Sequence, residues 1–265
     1  MSFVRCCHLA TLLLASTLGL SLSAQAPQPA EAPPPSHITY PQIVRLSLVE
    51  GDVRIARGKQ DEKLTGNAWE QATADIPLES GFSLATGADG RAEIEFEDDS
   101  TLYLAPNSAL ALAQLTSKDG VPHTQLSLLS GTITTYLDPT VPGEQYILQT
   151  ATHVFTLNYG ERSYARVTSY LDAMQITPMR NQNLVGYGTS FSAAAGESYN
   201  IIGPRVVPTH ASAAPAQAAW DKWVADRISA RNDATQTVMH QANLSTPIPG
   251  LADLANKGTF TSCAP

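Results

Sequence analysis

The sequence predicts an all-β protein, a body of short stacked strands of solenoid-like or sandwich-like form, followed by one C-terminal amphipathic helix. Three observations predict it. Apolar side chains recur at every second position in a series of short segments, most clearly from Ala92 to Leu104, and no stretch of useful length between residues 40 and 202 has a helical period. Gly, Asp and Ser punctuate the same region at short intervals, as turns between brief strands require. Further on, Trp220, Trp223, Val224, Arg227 and Ile228 recur at helical spacing. With 265 residues, 43% apolar and only 15% charged, the chain has the material for a real core. A net charge of −8 argues against nucleic acid and anionic membrane surfaces as partners.

The elements follow in order. Residues 1–24 read as an export signal: Arg5 supplies a positive start, Leu9 to Leu20 an apolar run, and Ser21, Ser23 and Ala24 a small-residue cleavage region. The run is shorter than the roughly 20 apolar residues a bilayer core needs, so cleavage after Ala24 is expected over an uncleaved anchor. Cys6 and Cys7 leave with the signal and Cys263 remains alone, so no intrachain disulfide is expected. Residues 25–38 are proline-rich and read as an extended linker.

The β body is expected over residues 39–202. Arg45 to Ile55 gives two alternating strands joined at Glu50-Gly51-Asp52; residues 57–67 are polar and read as a loop, and Trp69 re-enters the pattern. The densest signal runs from Gly81 to Ser108. There Ala92, Ile94 and Phe96 alternate with Glu93, Glu95 and Glu97, Asp98-Asp99-Ser100 turns, and Leu102 and Leu104 resume the alternation. Ala109 to Leu115 adds a strand. Gln125 to Leu137 repeats the strand, Gly, strand design, a recurrence expected of stacked β units. Further strands are expected at 146–150, 154–157, 163–167, 171–177 and 199–202.

Glu50-Gly-Asp-Val-Arg-Ile55, Trp69, Leu84-Ala-Thr-Gly-Ala-Asp-Gly-Arg-Ala-Glu-Ile-Glu-Phe96, Leu128-Leu-Ser-Gly-Thr-Ile133 and Ala195-Gly-Glu197 together resemble the FecR domain of bacterial envelope proteins. The likeness covers about residues 43–202; Asp98-Asp99-Ser100 stands where the family has Asp-Gly-Ser. It implies a compact stack of short strands outside the cytoplasm. Well-known members relay signals from an outer-membrane transporter to a sigma factor, with a helical cytoplasmic segment and a transmembrane helix ahead of the β domain. Here an export signal and a linker stand in that place, which points to an exported subgroup lacking the anti-sigma segment.

Beyond residue 202 the expectation is a linker over 203–217, a helix over 218–233 and an irregular tail over 234–265. Trp220, Trp223, Val224, Arg227 and Ile228 form the candidate docking or partner-binding face, either against the β body or in another protein's groove. Asp221 near the start and Arg227 and Arg231 near the end suit the helix dipole. Gly250-Leu-Ala-Asp-Leu254 after this helix resembles the same exported FecR-domain subgroup.

Chemistry finds little purchase. His37, His123, His153, His210 and His240 show no zinc-ligand spacing, no Gly-x-Ser-x-Gly is present, and phosphate-cradling glycine loops are missing. No catalytic residue, cofactor or metal is therefore assigned. Glu93, Glu95, Glu97, Asp98 and Asp99 are a candidate calcium cluster, but strand glutamates two apart stand nearly 7 Å from each other, too far to share an ion. A solvated acidic face is the expectation. Three functions stay open: a non-catalytic envelope module that binds a protein, a peptidoglycan or glycan binder stacking sugars on Trp69, Tyr103 and Tyr136, and an exported enzyme with no local motif.

Overall fold

A computed structural model describes residues 38–58, 68–158, 161–186, 189–209 and 213–258. The export signal and Cys263 lie outside the described residues, as do almost all of the proline-rich linker and most of the 57–67 loop. Among the described residues the body consists of strands, with one long helix after them.

The strands form two sheets. The first runs in the order β4 (Trp69–Gln71), β3 (Val53–Arg57), β6 (Phe82–Thr86), β9 (Ala109–Lys118), β10 (Val121–Leu137), β11 (Gln145–Gln149), β12 (Val154–Thr156), β15 (Gln182–Gly186), β16 (Thr189–Ala193), with β1 (Thr39–Pro41) also along β9. The second runs β5 (Ile76–Pro77), β2 (Arg45–Glu50), β7 (Arg91–Glu95), β8 (Thr101–Leu104), β10, β13 (Ser163–Ser169), β14 (Met174–Pro178), β17 (Ser198–Ile202), β18 (Arg205–Thr209). Every pairing is antiparallel except that of β10 with β11. Leu46, Ile94, Leu102, Leu104 and Ile133 of the second sheet meet Ile55, Leu84, Leu110, Leu126 and Leu128 of the first in one core, all at 1% exposure or less. Each such side chain contributes roughly 1.5–3 kcal/mol by leaving water.

Turn chemistry on this chain often marks a corner where a hairpin would be read. β2 and β3 do not pair with each other, nor do β6 and β7 or β8 and β9; the chain steps from one sheet to the other at each junction. The corners stack: Gly87 N–H donates to Asp52 O (2.8 Å), Asn107 N–H to Gly87 O (3.0 Å), and Thr132 N–H to Ser108 Oγ (2.8 Å). Stacked units are thus real, with antiparallel pairing between tiers. The 125–137 region is one continuous strand, β10, that changes sheets at Gly131. There φ is +81° and a Cβ would stand 2.3 Å from Ser108 Oγ, so only glycine fits.

Other expectations shift. Leu171 lies in the β13–β14 turn at 94% exposure and begins no strand. The expected linker 203–217 holds β18, and β15 and β16 were unforeseen; their polar, interrupted patterns carry little alternation. Helix α1 spans Pro215–Ala242, well beyond 218–233, because Thr235 serves as a buried position between Arg231 and Val238 where an apolar residue was sought. Pro215 opens it, and Asn243 at φ 53° closes it. The supposed irregular tail contains a 3-10 turn, Leu251–Leu254, packed on α1. Among the described residues no helix is long and apolar enough to cross a membrane.

Candidate functional site

Helix α1 lies across the outer face of the second sheet. Strand alternation decides what it covers: with Ala92, Ile94 and Phe96 in the core, Glu93 and Glu95 point the other way, beside Tyr103, Thr134 and Arg166 in register on the neighbouring strands. The contact has an aromatic half and an ionic half.

In the aromatic half, Trp220, Val224 and Ile228 bury themselves against Tyr103 and Ala105, flanked by Tyr136, Tyr164 and Trp223. The Trp220 indole N–H donates to Thr134 Oγ1 (2.9 Å). Trp220 and Trp223 stack with centroids 5.1 Å apart, Trp223 meets Tyr103 edge-on, and the Arg91 guanidinium lies 5.1 Å from the Trp223 ring centre. Asp221 pairs with buried Arg166.

In the ionic half, Glu93 and Glu95 are fully buried, which overturns the expected solvated acidic face. Arg227 Nε donates to Glu93 Oε2 (2.6 Å), and Ser47 Oγ to Glu93 Oε1 (2.7 Å). Glu95 is the hub: Oε1 accepts from Arg231 Nη2 (2.5 Å) and from the Gly250 N–H (2.8 Å), while Oε2 accepts from Arg45 Nε (2.6 Å). Arg231, 4% exposed, also pairs with Asp99 and donates to its carbonyl oxygen (3.1 Å). Arg45 continues outward to Asp253 and Asp75. Three carboxylates thus face three guanidiniums in a water-poor layer. Burial opposes the charge on Arg231, yet Glu95 and Asp99 hold it well above the ordinary arginine value. For Asp99 the balance runs the other way: burial raises its pKa despite the pull of Arg231.

These contacts fix where each candidate residue stands. Trp220, Val224 and Ile228 face the protein's own sheet, Trp223 lies half-buried against Tyr103, and Arg227 is ion-paired. Asp221 is outside the first turn and Arg227 and Arg231 sit mid-helix, so their use is pairing with the sheet, not the dipole. Of the three rings proposed for sugar stacking, Tyr103 is fully buried, Tyr136 is half-buried beside the aromatic contact with α1, and Trp69 is half-buried on β4. Both carboxylates of the Asp98-Asp99 turn are occupied by protein donors, Asp98 by Ser100 and Tyr146, Asp99 by Arg231. Glu97 accepts the Ile43 N–H at the surface. Among the described residues no cluster of three or more His, Cys, Asp or Glu is placed to hold a metal ion.

No curated relative matches the chain. Two crystal structures of a candidate anti-sigma factor from Parabacteroides distasonis are similar to it, at TM-scores of 0.38 and 0.37 with 9% and 8% identity, each covering 49% of this chain. The chain spans 60% of the length of those proteins. The family model described as FecR protein matches residues 83–163, from β6 to the start of β13, which takes in Glu93, Glu95 and Asp99. The stretch from residue 83 to residue 163 is thus similar to the FecR protein family.

Proposed function

We propose that this FecR-type domain is an exported envelope module that works by protein contact and catalyses no reaction. The observation that carries this reading is the fate of its acidic groups. Glu93, Glu95 and Asp99, the carboxylates most suggestive of chemistry, are neutralised by Arg45, Arg227 and Arg231 and roofed by α1. General acid–base work needs a group that substrate can reach, and these are sealed. The family match adds a signalling setting, and the leader-like N-terminal sequence adds export to the periplasm or cell exterior.

With the second sheet roofed by α1, the outer face of the first is a broad surface that the helix leaves uncovered among the described residues. Ser83, Ala111, Ser127, Leu129, Gln149 and Thr150 line a shallow depression there of about 360 Å³. Small uncharged side chains let another backbone approach closely at little desolvation cost. A photo-crosslinking residue at Gln149 in the native envelope should give a discrete protein adduct, while one at Lys222, on the solvent side of α1, should give none. Adducts from Lys222 alone would overturn the assignment of the surface. Sedimentation with purified peptidoglycan, lost on Trp69→Ala, would instead favour the glycan reading.

A further inference from the structure

Away from the ionic layer a second pair of carboxylates, Asp98 and Glu144, is buried without arginines. Asp98 sits in the β7–β8 turn and Glu144 ends the crossover that carries the chain from β10 to β11; both are buried, at 7% and 3% exposure. Asp98 Oδ1 accepts from the Tyr146 hydroxyl (2.9 Å) and the Ser100 N–H (3.0 Å), and Oδ2 from Ser100 Oγ (2.6 Å). Glu144 Oε2 accepts from the Thr140 and Val141 N–H groups, stapling the crossover onto its own end. Glu144 Oε1 is buried with no hydrogen-bond partner, although the Asp98 carboxylate is within reach. Among the described residues neither carboxylate has an ion-pair partner, and the titratable groups facing Glu144 are Asp98 and, from β11, Tyr146.

We propose that Asp98 and Glu144 share one proton, carried on Glu144 Oε1 and donated to Asp98, and that this proton latches the 138–144 crossover to the β7–β8 turn. Two buried carboxylates with no cation between them cannot both ionise cheaply. A donor on Oε1 also satisfies the one orphaned oxygen. A cation is a poor substitute, because the groups around the pair are N–H and O–H donors, whereas calcium needs six to eight oxygen ligands. Burial, then the Asp98 charge, push the Glu144 carboxyl up to about 8.

The sign follows. Closed, Glu144 keeps its proton up to about 8; opened, it loses it near the ordinary value of 4.5. The latch is therefore at full strength below about 4.5, weakens through the interval and levels off above about 8. In the full-length chain, protection of the 140–144 amides against hydrogen exchange, corrected for intrinsic rates, should fall by up to about tenfold per pH unit between those limits. Glu144→Gln, which keeps a donor facing Asp98 and can take no charge, should remove that slope. A slope unchanged in Glu144→Gln overturns the proposal, as does millimolar calcium raising protection at pH 8. Should Glu144→Gln fail to fold, Asp98→Asn gives the second reading: the midpoint must move down toward the ordinary carboxylate range, and a midpoint left in place refutes the shared proton.

Discussion

Replacing Arg231 by Met tests the ionic layer most directly. The side chain is 4% exposed and serves Glu95, Asp99 and, at 3.7 Å, Glu93. Removing one member of a buried pair costs about 3–5 kcal/mol, since the charge left behind keeps its desolvation penalty. Protonation caps that cost. Taking up a proton at pH 7 on a carboxyl of ordinary pKa near 4.3 costs roughly 3.7 kcal/mol, so the layer escapes by that route once the penalty grows larger. The expected loss is therefore about 3–4 kcal/mol at pH 7, or roughly 6–16 °C in Tm for a domain of this size. It should shrink by about 1.4 kcal/mol for each pH unit below 7 until the ordinary carboxylate range is reached. Urea denaturation at pH 7 and pH 5 measures both, provided the m-value is unchanged. Lys222→Met is the control: its ion pair with Asp226 has both partners exposed, at 75% and 65%, and its loss should stay within about 0.5 kcal/mol. An Arg231→Met loss below about 1 kcal/mol, or one equal at the two pH values, would refute the reasoning.

Three further substitutions probe the other contacts. Trp220→Phe should cost about 1–2 kcal/mol in urea denaturation by leaving Thr134 without its indole donor, and Trp220→Ala about 3–5 kcal/mol by emptying the aromatic half. Gly131→Ala should lower Tm far more than Gly196→Ala: both have positive φ, but a Cβ at Gly131 meets Ser108 Oγ at 2.3 Å whereas nothing lies within 4 Å at Gly196. Ile94→Asp should abolish the cooperative melt, because it sets an unpaired carboxylate in the core while Glu93 and Glu95, one residue away, are tolerated only beside arginines.

Strand periodicity made much of this legible. Ala92, Ile94 and Phe96 point into the core as their alternation requires, and the Trp220, Val224, Ile228 stripe lies on one helix face. What alternation cannot say is what stands over a polar face. Glu93 and Arg227 are 134 residues apart, so no local window holds both. A signal was nevertheless present. Glutamates two apart on a strand are nearly 7 Å apart, and arginines four apart on a helix rise about 6 Å, so Arg227 and Arg231 match Glu93 and Glu95 in spacing as well as charge. An arginine at 231 continuing a stripe of buried positions was itself a demand for a buried acid. Corners escaped detection for another reason: Gly51 and Gly87 to Gly90 make the same tight reversal whether the next strand pairs alongside or crosses to the facing sheet.

The chain order of the ionic layer carries a consequence for biogenesis. A ribosome delivers Glu93, Glu95 and Asp99 long before Arg227 and Arg231, so for about half of synthesis the incomplete body carries excess negative charge where its roof will sit, with Arg45 alone of the three arginines already made. Mutual repulsion between such intermediates discourages them from sticking together through the very face that stays unfinished longest. Only a molecule made through residue 231 cancels that charge, so the roof acts as a completeness check written into the order of the residues.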